Sequence, residues 1–219
     1  MSFKDKDYWL RLVSREDHAL VLDFMPRGNP VDTHHPSHRD RPIAQAVGCR
    51  YFTLVEFHPK SGVSITIEER VYIGFTRREL RDKVAYVWGE PIAYEDLTAI
   101  AKSNLPLAIQ KIILDLEKEF TKFFNTAPSL TIKLHVLELI PGIGKKTLWV
   151  ILEERAREEF KDFADIKNRI KGFDPVKALT ERILNELRGV ERYYLFAHPP
   201  KGVATAAYLD YLSRLYIEK

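Results

Sequence analysis

The spacing of the apolar residues changes near residue 92, and this change constrains the fold more than any other feature of the chain. Before it, short segments rich in β-branched and aromatic residues alternate with turn residues, which is typical of strands. These segments are residues 18–25, 51–58, 63–67, 70–75 and 83–89. After it, apolar residues recur at helical spacing, as at Ile109, Ile112, Ile113, Leu116 and Phe120. Strands followed by segregated helices predict an α+β fold.

The order of the segments predicts four regions. Short strands with few helices between them indicate a small OB-like β-barrel over residues 1–92. A helical connector follows over residues 93–128, and Pro106 is expected to divide it into two helices. An all-helical domain is predicted over residues 129–189. Residues 190–219 should hold a strand and a C-terminal helix, and that strand is expected to return to the first sheet.

Composition limits the classes of function. With 219 residues, of which 45% are hydrophobic, the chain can bury a core. The net charge of +3 neither requires nor excludes a nucleic-acid partner. Cys49 is the single cysteine, which excludes an internal disulfide, an all-cysteine zinc site and an iron–sulfur cluster. The charged start does not resemble a signal peptide, and no segment approaches about 20 apolar residues. We therefore expect a cytoplasmic protein without a membrane partner or a cofactor.

Residues 137–152, LELIPGIGKKTLWVIL, place Pro-Gly-Ile-Gly between two apolar segments. The preceding residues 129–140 fit both strand alternation and helical spacing, and the short turn favours a helix with Ser129 as its N-cap. Pro141 ends that helix. Gly142 and Gly144 let another molecule approach the backbone closely. The turn is either an ordinary connector or a binding site.

The helix predicted to begin near Lys145 gives this turn its chemistry. The first N–H groups of a helix have no partner within the helix, and the helix dipole adds partial positive charge there. Such an end binds anions, and Lys145 and Lys146 add formal charge beside it.

The complete pattern, apolar-x-x-apolar-Pro-Gly-Ile-Gly-Lys-Lys before an apolar helix, resembles the helix-hairpin-helix motif. That motif binds the nucleic-acid backbone through hairpin N–H groups without reading bases. The resemblance implies that Ile143 packs between the helices, and Leu148 stands where a small residue is usual. It implies a site formed by Gly142, Ile143, Gly144, Lys145, Lys146 and Thr147.

The motif usually occurs in pairs, and residues 163–189 supply a second candidate. Lys171, Gly172 and Lys177 could form another phosphate clamp. However, Asp174 is predicted to cap the following helix, so its carboxylate would occupy the anion position. Pro175 suits the first helical position and Gly189 the helix end. Val176, Leu179, Ile183 and Leu187 should form the buried face. We expect this hairpin to be mainly structural.

Residues 26–42 form a long predicted loop with four prolines. One interpretation is a basic loop that contacts nucleic acid through Arg27, Arg39 and Arg41. The other is a zinc site formed by Asp32, His34, His35 and His38, which would require fixed geometry and supporting contacts. The first is preferred, so no metal is predicted.

Three aromatic residues on or near the predicted strands could stack on bases. They are Tyr51, Phe52 and Phe57, and each could equally fill the core. Because neighbouring strand residues point to opposite faces, Tyr51 and Phe52 cannot both stack. Tyr51 is the residue assigned to the surface.

Some helix-hairpin-helix proteins are glycosylases that carry an aspartate after the hairpin. Asp162 and Asp165 lie in that region but in a different pattern, and the glycosylase-like VDTH at residues 31–34 lies before the hairpin. No Walker-type loop and no nucleophile–base pair stands out. We therefore predict that the chain is not an enzyme.

Several motifs appear in order: VLDFMPRG, PIAQAVG, RVYIG, LELIPGIGKKTLWVILEER and DPVKALTERILNELRG. Over residues 17–196, this order resembles an uncharacterised archaeal family of predicted RNA-binding proteins. The resemblance implies an OB-like barrel joined to a helix-hairpin-helix domain, and no reaction. The leading hypothesis is sequence-independent nucleic-acid binding, to RNA before DNA, with translation- or repair-associated proteins as further partners. The alternatives are a protein-interaction scaffold and a repair-associated DNA binder.

Overall fold

The structure is a computed structural model that describes residues 3–30, 32, 36–203 and 206–217. Contacts divide the chain into two compact units, Met1–Ile109 and Gln110–Lys219. The boundary falls inside the predicted helical connector. Within the described part of the chain, no helix has both the length and the apolar character needed to cross a bilayer.

The first unit is built around an antiparallel sheet of five strands: β1 His18–Met25, β2 Ile43–Gly48, β3 Leu54–Pro59, β4 Arg70–Tyr72 and β5 Val84–Val87. Their order in the sheet is β4-β1-β2-β3-β5. The sheet curls into a half-barrel, so the expected barrel is confirmed only in this coarser form. A helix, α1, precedes it. This helix spans Phe3–Val13.

Two strand assignments differ from the sequence prediction. The central strand β2 was not predicted, because all six of its residues are buried and the polar alternation that marks a strand is missing. Residues 63–67 were predicted as a strand but form irregular structure. In that segment Ile65 is buried in the core while Ile67 is exposed, so the apolar pattern reflects one anchoring side chain.

The second unit is mainly helical. Helix α2 begins in the first unit, and residues 193–208 add two short parallel strands. The bounds are α2 Ala99–Asp115, α3 Glu117–Thr126, α4 Lys145–Arg157, α5 Phe163–Arg169, α6 Pro175–Leu187, β6 Tyr193–Tyr194, β7 Ala207–Tyr208 and α7 Tyr211–Ile217.

The predicted helical connector divides at a different residue from the expected one. Pro106 lies inside α2 and does not break it. Pro106 is partly exposed, so the carbonyl that loses its helical N–H partner can be solvated at the helix surface. The division falls at Leu116, whose backbone (φ −101°, ψ 23°) leaves the helical region between α2 and α3.

The prediction of a helix over residues 129–140 is wrong. Only a single 3₁₀ turn forms there, at Val136–Leu139, and Ser129 forms a β-bridge with His135 in place of the predicted N-cap. The Nδ1 atom of His135 accepts a hydrogen bond from the backbone N–H of Leu137, and Glu138 accepts one from the N–H of His135. These local bonds stabilise a tight turn and compete with a longer helix.

The segment predicted to return to the first sheet does not do so, because β6 pairs with β7 in a separate two-stranded sheet. The buried carboxylate of Glu186 on α6 holds this segment. It accepts hydrogen bonds from the N–H groups of Leu195, Phe196 and Ala197, at 2.7, 2.9 and 2.7 Å. The segment is therefore fixed within the second unit.

Candidate functional site

The Pro-Gly-Ile-Gly turn has a defined backbone geometry. Gly142 adopts φ +84°, which favours glycine, and the N–H of Ile143 donates to the carbonyl of Ile140 at 3.1 Å. Ile143 is buried. Gly144 is the N-cap of α4 and has no side chain to cap it. The N–H groups at the start of α4 therefore remain available to an anion.

The second turn repeats this geometry with different chemistry. Gly172 adopts φ +77°, the N–H of Phe173 donates to the carbonyl of Ile170 at 3.2 Å, and Phe173 is buried. The N-cap here is Asp174, whose carboxylate accepts a hydrogen bond from the N–H of Lys177 at 3.1 Å. This confirms the prediction that Asp174 caps α6.

We call the turn at residues 171–174 the closed turn, because Asp174 caps the helix that follows it. A second contact fixes the Asp174 carboxylate there. Lys167 donates to it at 2.6 Å. This hydrogen bond, followed by that from the Lys177 N–H, lowers the pKa of Asp174. The carboxylate is therefore held in its ionised form where an anion would otherwise bind.

Asp174→Ala is expected to lower the free energy of unfolding by about 1 kcal/mol, because it removes an N-cap from α6. Denaturant titration followed by circular dichroism measures the change. Glu181→Ala is the matched control, since Glu181 is an exposed acidic residue on the same helix. Equal effects of the two substitutions would contradict the capping role.

We call the turn at residues 141–144 the open turn, because no side chain caps the helix that follows it. The two lysines after it have different surroundings. The ammonium of Lys145 lies 2.7 Å from Oε1 of Glu138 and donates to the carbonyl of Lys133 at 3.1 Å. The hydrogen bond from Lys145 lowers the pKa of Glu138. Lys146 is exposed, and no ion pair joins it to another residue within the described ranges. Glu138 therefore partly offsets the positive charge of Lys145. Lys146 contributes its full positive charge at the turn.

Helix α4 presents an aromatic side chain that sequence reasoning missed. Trp149 lies one turn after Lys145 and is 63% exposed. Leu148 and Ile151 on the same helix are buried, so the larger residue at position 148 fills the interior. An exposed indole offers a flat surface on which a base could stack. The signal was available in the sequence, because Trp149 stands outside the buried face defined by Leu148 and Ile151.

The structure does not bring the remaining predicted contact residues into one cluster. Arg27, Arg39 and Arg41 are exposed around the loop before β2. Tyr51 follows the other end of β2, a strand of six residues, or about 20 Å. The guanidinium of Arg15 lies 3.6 Å from the centroid of the Tyr51 ring and covers one of its faces.

The other two aromatic candidates, Phe52 and Phe57, are fully buried in the first unit. The turn that carries Tyr51 is held by the buried carboxylate of Glu16. That carboxylate accepts hydrogen bonds from the N–H groups of Arg50, Tyr51 and Thr53, at 2.8, 3.0 and 3.1 Å. Of the three aromatic residues, only Tyr51 retains exposed surface for stacking.

The loop of residues 26–42 brings together two of its predicted metal ligands and one residue from β3. Nδ1 of His38 lies 3.1 Å from Oδ2 of Asp32 and 3.3 Å from Oε2 of Glu56. Sequence reasoning missed Glu56, because only the β2–β3 pairing places it beside the loop. His34 and His35, the other predicted ligands, lie outside the described residues.

The two aspartates of the glycosylase alternative have structural contacts. Asp162 caps α5 by accepting a hydrogen bond from the N–H of Asp165 at 2.7 Å. Asp165 accepts hydrogen bonds from Arg169 and from the N–H of Lys161.

Together, the half-barrel sheet and the helical unit with one open and one closed turn define a two-unit α+β protein. The chain belongs to the family described as "Protein of unknown function (DUF655)", whose model matches residues 15–198. This range agrees with the resemblance inferred over residues 17–196.

Two proteins from archaea are similar to the chain. An uncharacterized protein of Methanocaldococcus jannaschii is 40% identical over 190 residues, which cover 86% of this chain and 82% of that protein. The crystal structure of a DUF655 protein from Archaeoglobus fulgidus is 44% identical, with a TM-score of 0.74, and covers 84% of this chain and all of that one.

Proposed function

We propose that the chain binds the phosphate backbone of nucleic acid, RNA before DNA, through a helix-hairpin-helix site at residues 142–147. The N–H groups at the start of α4 hold a phosphate oxygen, and Lys146 supplies the nearest charge not engaged by Glu138. Since such a site reads phosphate and not base edges, binding depends little on sequence and weakens with salt.

One observation carries the proposal: the contrast between two turns of the same backbone geometry. At the second turn the Asp174 carboxylate satisfies the helix start from within the chain. At the first turn Gly144 leaves the helix start without a side-chain cap. Because uncapped N–H groups at a helix start are a cost to stability, their retention beside lysines favours an external anion as their partner.

The proposal extends to further contact residues within each unit. Trp149 offers an exposed ring for base stacking next to the phosphate site. Arg27, Arg39 and Arg41 supply cationic surface in the first unit, together with Tyr51. Each of these side chains would add affinity without sequence specificity.

Lys146→Gln tests the charge at the site. We expect the affinity for single-stranded RNA to fall about three- to tenfold, and the slope of log K against log salt to fall in magnitude by about 0.7, because one phosphate contact is lost. Fluorescence anisotropy at several salt concentrations measures both. Lys177→Gln is the control, since it makes the same charge change at the closed turn. If both variants bound as tightly as the wild type, Lys146 would have no role in binding.

A second candidate function is protein assembly through the same unit, and exposed apolar side chains favour it. Ile132, Trp149 and Val150 are exposed near the open turn. Pull-down with and without nuclease separates the two functions. Partners that are lost after nuclease treatment support nucleic-acid binding, and partners that remain support assembly.

A further inference from the structure

Three potential metal-ligating atoms converge in the first unit. They are Nδ1 of His38, a carboxylate oxygen of Asp32 and a carboxylate oxygen of Glu56, all within 4.8 Å of one another. A zinc ion at about 2.0–2.2 Å from tetrahedral nitrogen and oxygen ligands separates those ligands by about 3.3–3.5 Å. The two separations from His38 are 3.1 and 3.3 Å. The two separations from His38 are therefore within a few tenths of an ångström of those between ligands of one ion, and the two carboxylate oxygens lie within 4.8 Å of each other.

The two contacts of His38 cannot both be strong hydrogen bonds. Both carboxylate oxygens face the same ring nitrogen, which carries at most one hydrogen. One hydrogen can point well at only one of the two oxygens. A cation placed between the three atoms would attract the imidazole lone pair and both carboxylates at once.

The cluster is also removed from solvent. Asp32, His38 and Glu56 are 6%, 2% and 1% exposed. Two carboxylates and one imidazole lie together in a buried place, and buried carboxylates are found paired or coordinated to a metal. A divalent cation balances two carboxylates and a neutral imidazole.

The surrounding contacts orient two of the three ligands. Glu56 accepts a hydrogen bond on Oε1 from the side chain of Gln45 at 2.9 Å, so its Oε2 faces His38. The Nε of Arg39 donates to the carbonyl of Asp32 at 3.0 Å. Supporting hydrogen bonds of this kind fix ligand geometry in metal sites.

Backbone hydrogen bonds within the loop hold together the residues that carry two of these ligands. The backbone N–H of Asn29 donates to the carbonyl of His38 at 2.6 Å, and the N–H of Asp32 donates to the carbonyl of Asn29 at 3.0 Å. Gly28 adopts φ +83°, and a Cβ there would lie 2.5 Å from the backbone of Arg39. The described residues of the loop around Asp32 and His38 therefore have the fixed geometry that a metal site requires.

We propose that Asp32, His38 and Glu56 bind one divalent transition-metal ion. One nitrogen and two oxygen donors suit Zn²⁺, and three protein ligands leave a fourth position for solvent. The ion would join the loop to β3 and so set the position of the exposed Arg27, Arg39 and Arg41. The site lies in the first unit and does not depend on the function proposed for the open turn.

The test uses the full chain without a polyhistidine tag, stripped with a chelator and dialysed against Zn²⁺. We expect one equivalent of zinc per chain by elemental analysis, and a visible d–d absorption band when Co²⁺ replaces it. Glu56→Gln, which keeps the size of the side chain, should weaken binding at least about tenfold. His18→Gln should bind like the wild type, because His18 is an exposed histidine on β1 of the same unit.

A second measurement, the melting temperature, distinguishes a variant that has lost the metal site from one that fails to fold. Zn²⁺ should raise the melting temperature of the wild type and of His18→Gln, but not that of Asp32→Asn, in which one of the two loop ligands is changed. The proposal is overturned if the wild type binds no stoichiometric zinc, or if Glu56→Gln and Asp32→Asn bind it as the wild type does. Zinc lost on removal of His34 and His35 but kept by Glu56→Gln would also overturn it.

Discussion

Glu186→Ala is expected to lower the free energy of unfolding by about 3–5 kcal/mol, the largest effect on stability that we predict. Glu186 lies 2.8 Å from the Nε of Arg182, and both side chains are almost completely buried. Removing the carboxylate leaves the guanidinium without its buried counter-charge. It also removes the acceptor for the N–H groups of residues 195–197.

Arg182, the partner of Glu186, also contacts the 3₁₀ turn that precedes the open turn. Arg182 donates to the carbonyl of Leu139 at 2.9 Å, and it pairs with Glu191 at 2.9 Å. Loss of Glu186 should therefore loosen both the segment after α6 and the start of the open turn. Burial raises the pKa of Glu186 although Arg182 opposes it, so the carboxylate is held at some cost.

Urea denaturation followed by circular dichroism measures this effect, with Glu181→Ala as the control for an exposed glutamate five residues earlier on α6. Replacing both partners together, with Arg182→Met and Glu186→Leu, should cost much less than Glu186→Ala, because no buried charge is left unpaired. A loss below about 1 kcal/mol for Glu186→Ala would show that the network is not essential to the second unit.

Gly144→Asp is expected to weaken nucleic-acid binding about tenfold to hundredfold, the largest effect on binding that we predict. It converts the open turn to the chemistry of the closed one, since an aspartate at the N-cap accepts the N–H bonds at the start of α4. A bound phosphate would lose a charge-assisted hydrogen bond, worth about 1.5–3 kcal/mol, and would meet a carboxylate.

The backbone can accept this substitution. Gly144 has φ −84° and ψ 179°, which suits any residue, and a Cβ there would meet no atom within 4 Å. We expect stability to stay the same or rise by a few tenths of a kcal/mol, because aspartate is a slightly better N-cap than glycine. Gly144→Asn is the matched control, since it caps equally well without the charge and should weaken binding less. If Gly144→Asp lost stability along with binding, misfolding would explain the result.

Local signals in the sequence were enough to predict several elements. The bounds of β1 follow from a short apolar segment, residues 18–25, that turn-forming residues follow. The cap at Asp174, the first helical position at Pro175 and the end at Gly189 all follow from preferences that act within one helix turn. These features depend on a few neighbouring residues, so the rest of the fold is not needed to predict them.

Other features depend on contacts between residues distant in sequence. The segment after α6 was assigned to the wrong sheet because the bonds that hold it come from one buried carboxylate, Glu186. Glu56 joins Asp32 and His38 only through the pairing of β2 with β3. No local pattern marks either partnership.

The residues before the open turn show a third reason why the sequence alone did not predict the structure. Residues 129–140 carry both a strand-like and a helix-like pattern, and the structure adopts neither over most of that length. The choice is decided by side-chain bonds of His135 and Glu138 to the backbone, which stabilise one 3₁₀ turn. Periodicity alone cannot detect such bonds.

The salt dependence of binding, compared between the wild type and Gly144→Asp, tests the central claim most directly. Anisotropy titrations would use unrelated single-stranded RNA sequences and a DNA of equal length at several salt concentrations. We predict similar affinities across sequences, affinity that falls steeply with salt for the wild type, and a shallower slope by about 0.7 per lost phosphate contact for Gly144→Asp. No binding by the wild type at low salt, or the same affinity and slope for both proteins, would contradict a phosphate site at residues 142–147.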